Sequence, residues 1–180
     1  MQLSVDGYVA GPNGEMDWMT WNMDEKLKSY IMGITAPVDC ILMGRKLAQG
    51  FIPHWKTYYE NPETTDEFSR KMVEVHKVVF SKTLTRSEWD NTDLVTGDMV
   101  QAVKELKAKD GGDIITYGGA GFTSSLIKEN LIDEYHLFIN PAAIGNGMTI
   151  FKELQSNLNL KLVNAKGYDC GIVVLLYKPA

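Results

Sequence analysis

Histidine and cysteine are scarce in this chain, and the few present are poorly spaced for metal chemistry. His54, His76 and His136 lie far apart in sequence, so no metal site is indicated. Cys40 and Cys170 fall in apolar, strand-like stretches with no CxxC partner, the setting of buried free thiols rather than a disulfide. Long apolar runs are missing as well. Nothing approaches the roughly 20 apolar residues needed to span a bilayer. The start, Met1-Gln2-Leu3-Ser4-Val5-Asp6-Gly7, has no basic stretch leading into an apolar one, so no secretory leader is read there and a cytoplasmic protein with no membrane partner is expected. A basic surplus is also absent. The formal net charge of −5 argues against nucleic acid, which needs clustered Lys and Arg on one face. It does not exclude a small anionic ligand, for which a few local donors suffice. Finally, the Rossmann fingerprint fails: after Gly119-Ala120-Gly121 the third glycine position is Ser124.

The 180 residues and 44% hydrophobic content suit one well-packed domain over residues 1–180. Short β-rich runs alternate with helix-length segments, the pattern of strand-helix-strand units and a mostly parallel sheet. Strands are expected at 3–9, 40–43, 77–81, 113–117 and 134–139, and helices at 24–35, 65–75, 99–109 and 122–130. Asp98 is placed to cap the third helix, and Asp110-Gly111-Gly112 to end it. Two late β-rich runs, 158–163 and 171–177, read as an antiparallel pair at one side of the sheet. The first strand is short for a central parallel strand, as expected of a truncated start.

Four stretches carry candidate chemistry. In Asp113-Ile114-Ile115-Thr116-Tyr117-Gly118-Gly119-Ala120-Gly121-Phe122 a strand breaks into glycines and enters a helix. Glycines there let the main chain close on a ligand, and the helix start aims N–H groups at an anion; the same glycines also serve plain strand-to-helix packing. Cys40-Ile41-Leu42-Met43-Gly44-Arg45-Lys46-Leu47 repeats the strand-glycine-helix order. Its Arg45 and Lys46 oppose the helix dipole, a mismatch that either a bound anion or simple solvation relieves. Lys77-Val78-Val79-Phe80-Ser81-Lys82-Thr83-Leu84 ends a strand in hydroxyls and an ammonium, suited to phosphate or ribose or to an ordinary polar turn. In Ser4-Val5-Asp6-Gly7-Tyr8-Val9-Ala10-Gly11-Pro12-Asn13-Gly14-Glu15-Met16-Asp17-Trp18 a strand leads through a Gly/Pro/Asn loop to an acid and an indole. Either this loop closes over a flat ring or Trp18 is a packing anchor.

The collinear order of these motifs resembles the dihydrofolate reductase-like superfamily. The likeness is nearer to the C-terminal reductase domain of bifunctional riboflavin-biosynthesis enzymes and its stand-alone bacterial homologues. Ser4 to Gly11, Leu42-Met43-Gly44-Arg45-Lys46, Val79-Phe80-Ser81-Lys82-Thr83-Leu84, Tyr117-Gly118-Gly119-Ala120-Gly121 and Asn140-Pro141-Ala142-Ala143-Ile144-Gly145-Asn146-Gly147 carry it. The resemblance implies a three-layer α/β/α fold with a mostly parallel central sheet, an antiparallel C-terminal hairpin and NADPH as cofactor. By that resemblance Gly44, Arg45 and Lys46 bind phosphates including the 2′-phosphate, and Ser81, Lys82 and Thr83 flank the adenosine. Gly118, Gly119, Ala120, Gly121 and Phe122 hold the pyrophosphate, while Val9 and Ala10 touch the nicotinamide.

The implied activity is hydride transfer to a pterin-like or ribosylamino-pyrimidine heterocycle, as in 5-amino-6-(5-phosphoribosylamino)uracil reductase. Asp6 and Asp17 are the acids expected nearest the nicotinamide, with Trp18 in the loop above; Asp6-Gly7 is also an ordinary turn pair. A true folate reductase falls behind, because its helix carboxylate matches the neighbourhood of Lys28, and Asp24 and Glu25 lie a turn earlier. A nucleotide-binding module without turnover is the reading from another class. No deaminase signature and no second basic cluster for a substrate phosphate are found. Homodimers are expected through the late strands, as is common among such reductases.

Overall fold

A computed structural model describes residues 1–180. Along the chain run β1 (Gln2–Leu3), α1 (Glu25–Thr35), β2 (Val38–Gly44), α2 (Arg45–Glu60), α3 (Glu67–Glu74), β3 (His76–Phe80), β4 (Thr92–Val95), α4 (Met99–Lys107), β5 (Asp113–Thr116), α5 (Ala120–Lys128), β6 (Tyr135–Ile139), β7 (Leu160–Gly167) and β8 (Val173–Pro179). The chain forms two compact units, Met32–Gly119 and Met1–Ile31 with Ala120–Ala180. The family expectation of α/β architecture with mostly parallel pairing and a C-terminal antiparallel hairpin holds. The strands divide between two four-stranded sheets.

In the unit Met32–Gly119 the sheet order is β4-β3-β2-β5, and every neighbour pair is parallel. Strands β2 and β3 are near-continuous apolar runs, as expected of strands covered on both faces. Their Ile41, Met43 and Val79 are fully buried beside Ala48 of α2 and Met72 of α3. Leu47, Phe51, Ile52 and Trp55 of α2 pack on that core, a helical spacing that lays one apolar stripe against the sheet. Asp66 caps α3 by accepting from the Ser69 N–H at 2.6 Å, with Ser69 Oγ answering the Asp66 N–H at 2.9 Å. Asp98 caps α4 as expected, accepting from Val100 and Gln101. Strand β4 escaped the sequence reading: Thr-Asp-Leu-Val is a short edge strand with little apolar signal.

In the other unit the order is β1-β6-β8-β7, with β1 parallel to β6 and the remaining pairs antiparallel. Leu3, Leu137, Tyr135, Ile127 and Ile150 form its core. The strand expected at 3–9 is only two residues long. Gly7 takes φ +87° and its N–H bonds to the Ser4 carbonyl at 3.0 Å, so a turn breaks the strand right after Leu3. Both cysteines are free, with Cys40 buried and Cys170 only half-buried. No helix is long and apolar enough to cross a membrane.

Candidate functional site

All four strands of the parallel sheet point the same way, so their carboxyl ends share one edge. Gly44 pairs with Phe80, Phe80 with Val95, and Leu42 with Thr116. The residues that follow, Arg45, Ser81 and Tyr117, therefore leave the sheet side by side. The chain runs outward from β2 to β3 and β4 on one flank and returns to β5 on the other. That reversal at β2 makes a topological switch point, where open α/β sheets take their ligands.

Helix α2 starts at this edge. Its N-cap Gly44 offers no side-chain hydrogen bond, and its first turn has no acid. Arg45 and Lys46 stand there instead, against the dipole. Arg45 Nη1 reaches only the neutral Gln49 Oε1, at 3.3 Å, and neither Arg45, Lys46 nor the exposed Lys82 is paired with a carboxylate. After β3, Ser81 Oγ accepts from the Thr83 N–H at 3.1 Å and the Leu84 N–H at 3.0 Å. This hydroxyl shapes the turn that leaves Lys82 and Thr83 exposed.

After β5, Gly118 and Gly119 take φ +146° and +74°, a conformation that side chains resist. Gly121 is different. It lies inside α5 with open space at its missing Cβ, so of the three glycines only the first two are demanded by the backbone. Helix α5 begins at Ala120, two residues ahead of the expected start. Four buried side-chain oxygens in the molecule have no hydrogen-bond partner: Thr116 Oγ1, Tyr117 Oη, Thr123 Oγ1 and Tyr168 Oη. Three of them fall within the stretch 116–123. Burial pushes the Tyr117 phenol well up from its ordinary pKa, so it stays a donor, and its ring stacks on Phe51 at 5.6 Å. Sequence reasoning missed Thr123; the signal was a hydroxyl in the first helical turn behind a glycine pair.

The N-terminal candidates belong to the other unit, where segments 4–23 and 140–149 are tied together. The Val5 N–H bonds to the Ala142 carbonyl at 2.7 Å, the Val9 N–H to Met148 and the Met148 N–H to Ala10, both at 2.8 Å. Asp6 fastens the same loops. Its carboxylate accepts from Ser4 Oγ at 2.6 Å, the Gly145 N–H at 2.7 Å and the Ile144 N–H at 3.1 Å. The Ser4 hydroxyl first, then the Gly145 N–H, holds its carboxyl below the usual carboxylate range. Asp17 is exposed; Trp18 is half-buried and donates from Nε1 to the Glu15 carbonyl at 3.3 Å.

Asn140, which opens the Asn140-Pro141-Ala142 motif, is fully buried and pins the loop. Its Oδ1 accepts from the Thr20 N–H at 2.9 Å, and its Nδ2 donates to Gln2 Oε1 at 2.7 Å. Asp24 and Glu25 are both engaged. Asp24 caps α1 through the Leu27 N–H at 2.9 Å, and Glu25 pairs with Lys28 at 2.7 Å. No group of three or more His, Cys, Asp or Glu is placed to hold a metal.

Parallel strands ending in glycine turns and cations, followed by a late antiparallel hairpin, define the dihydrofolate reductase-like α/β class. More particularly, the chain belongs to the RibD C-terminal domain family, whose model matches residues 1–174. It is 33% identical over 181 residues to YyaP of Bacillus subtilis (strain 168), itself uncharacterized, covering 98% of this chain and 91% of that one. A deaminase/5-amino-6-(5-phosphoribosylamino)uracil reductase from Thermotoga maritima superposes with a TM-score of 0.71 at 16% identity. The match covers 99% of this chain and 55% of that one. A pyrimidine reductase-like protein from Corynebacterium diphtheriae gives a TM-score of 0.63 at 13% identity, over 99% and 89% of the two chains. By likeness the chain sits among RibD-type, pyrimidine reductase-like proteins.

Proposed function

We propose that this chain is an NADPH-dependent reductase acting on a pterin-like or ribosylamino-pyrimidine heterocycle. The reading rests above all on the buried, unpartnered hydroxyls of Thr116 and Tyr117, directly before the Gly118-Gly119 turn. A buried polar atom with no partner costs about 1–3 kcal/mol, so hydroxyls left idle at a strand end call for a partner from outside the chain. The three cations without carboxylates at the parallel edge supply the matching charge.

In this reading Gly44, Arg45 and Lys46 hold phosphate, the 2′-phosphate included, and Ser81, Lys82 and Thr83 border the adenosine. Gly118, Gly119, Ala120, Gly121 and Phe122 cradle the pyrophosphate, and Val9 and Ala10 meet the nicotinamide. Bound NADPH supplies the hydride. Asp6, ionised at neutral pH and engaged on three sides, orients the loops and gives up no proton. Asp17 is the acid left for proton delivery, and Trp18 steadies the loop that bears it. Lys28 stands where a folate reductase carries its carboxylate, which counts against that alternative. Calorimetry with NADPH tests the cofactor half, and absence of heat from intact protein rejects it. Oxidation of NADPH on adding the heterocycle separates an enzyme from a binding module.

A homodimer is also proposed. Leu162, Val163 and Val173 expose apolar side chains on β7 and β8, and β7 is an edge strand. Unpaired edges of this kind invite a second chain. Sedimentation at micromolar concentration showing monomer alone rejects it. A cytoplasmic location fits a reductase that draws on the NADPH pool.

A further inference from the structure

The molecule exposes seven large hydrophobic residues, and four of them, Val5, Met16, Trp21 and Met148, lie on the loops bound together at 4–23 and 140–149. Trp21 is the barest, at 67% exposure. The same loops carry no Lys or Arg: the first basic residue of the chain is Lys26, and residues 140–149 have none. What charge they hold is negative, from Asp6, Glu15 and Asp17. The lysines that follow the first of these loops are engaged, Lys26 with Asp169 at 3.1 Å and Lys28 with Glu25 at 2.7 Å, while Lys152 lies beyond the second and is exposed. All three arginines of the chain, Arg45, Arg70 and Arg86, belong to the unit Met32–Gly119.

We infer that these loops bind a planar, uncharged heterocycle, and that the substrate carries no phosphate. The inference rests on the reductase reading above and narrows its substrate class. Phosphate recognition calls on Arg forks, Lys ammonium groups or helix N-termini; residues 4–23 and 140–149 hold no such cation, and the helix that follows the first loop, α1, has its start taken by two acids, Asp24 as cap and Glu25 in the first turn. A dianionic group brought there meets carboxylates, so it is repelled rather than held. An indole and two thioethers present the opposite chemistry. Their polarizable, apolar surfaces suit the face of a flat ring, with Met adapting to its outline. Charge thus sorts ligands within one molecule: phosphates belong with the cations at the parallel edge, and the uncharged ring with Trp21 and its neighbours. The Thermotoga maritima protein, by its description, reduces a phosphoribosyl compound; this chain selects against that group.

The test is titration of tryptophan fluorescence, with NADP+ present, by a ribosylamino-pyrimidine nucleoside and by its 5′-phosphate. The nucleoside is expected to bind at least about tenfold more tightly. Trp21→Ala, an exposed position that the fold does not depend on, weakens the nucleoside by about tenfold and leaves NADP+ affinity unchanged. Met16→Arg narrows the gap by strengthening the phosphorylated form. Equal or tighter binding of the 5′-phosphate by the unaltered protein overturns the inference while the reductase reading stands. Binding of NADP+ with neither pyrimidine overturns it as well. Failure to bind NADP+ removes the reductase reading itself and the inference with it.

Discussion

The two units handle polar groups in opposite ways. In Met32–Gly119, parallel strands bring three separate chain segments to one edge and leave Arg45, Lys46 and Lys82 without acidic partners. In the other unit the polar groups that tie the loops together are already spent on one another: Asp6 on Ser4, Ile144 and Gly145, and Asn140 on Thr20 and Gln2. Unsatisfied groups are a capacity for ligand, whereas satisfied ones hold a shape. The first unit therefore offers binding energy to an anion, and the second offers a pre-set apolar surface.

Four experiments strain that contrast. Asn140→Leu strikes the satisfied network hardest, since it strands the Thr20 N–H and Gln2 Oε1 while keeping the volume; a loss of about 2–3 kcal/mol is expected in urea unfolding. A loss within experimental error denies that the amide pins the loop. Arg45→Ala instead spares stability and weakens NADPH by about 10- to 100-fold, with little change for NADH. Equal losses for the two coenzymes remove the 2′-phosphate assignment.

The glycine pair sharpens the picture at smaller scale. Gly119→Ala, forced into positive φ, costs about 1 kcal/mol. Gly121→Ala, in open helical space, is neutral or stabilising by up to about 1 kcal/mol. If the two variants behave alike in thermal unfolding, the turn is not what demands glycine.

The pH dependence of stability divides the same way. Burial pushes the Lys77 ammonium down to about 8 from 10.5, although it donates to the carbonyls of Val73 at 2.8 Å and Val75 at 2.6 Å. Between those two pH values the unfolded chain binds more protons than the folded one, so stability rises with pH across that window. Lys77→Met flattens this rise. On the acid side Asp6 has its carboxyl held down, so its contribution is present above the ordinary carboxylate pKa and fades as pH falls through the folded value. Asp6→Asn removes that acid-limb sensitivity. Unchanged profiles in both variants would mean that neither group is linked to folding.

Much of the architecture was legible beforehand because local rules and tertiary packing agree. Strands β2, β3 and β6 are apolar runs bounded by polar or glycine residues, and Asp98 marked a helix start whose cap bonds are present. Where the reading slipped, a local detail overrode the pattern. The run from Leu3 to Val9 has strand composition, but the Ser4-Asp6 bond and the turn at Gly7 end β1 after two residues. Strand β4 was too short and polar to stand out. At the site, the glycines and cations were visible as motifs. The idle hydroxyls were not, because a threonine in sequence carries no sign of whether its oxygen has a partner.

By itself the sequence determined which groups are available: cations and glycines after strand-like runs, aromatics in an acid-flanked loop, and the family to which such an order belongs. Only the folded chain decided which of them are free to act. Asp6 and Arg45 are both charged residues beside a glycine, yet one is fully bonded to backbone and hydroxyl while the other faces no carboxylate. That distinction depends on contacts such as Asp6 with Gly145, separated by most of the polypeptide. Hydrogen-bond satisfaction is a property of neighbours in space, and composition, periodicity and spacing do not contain it.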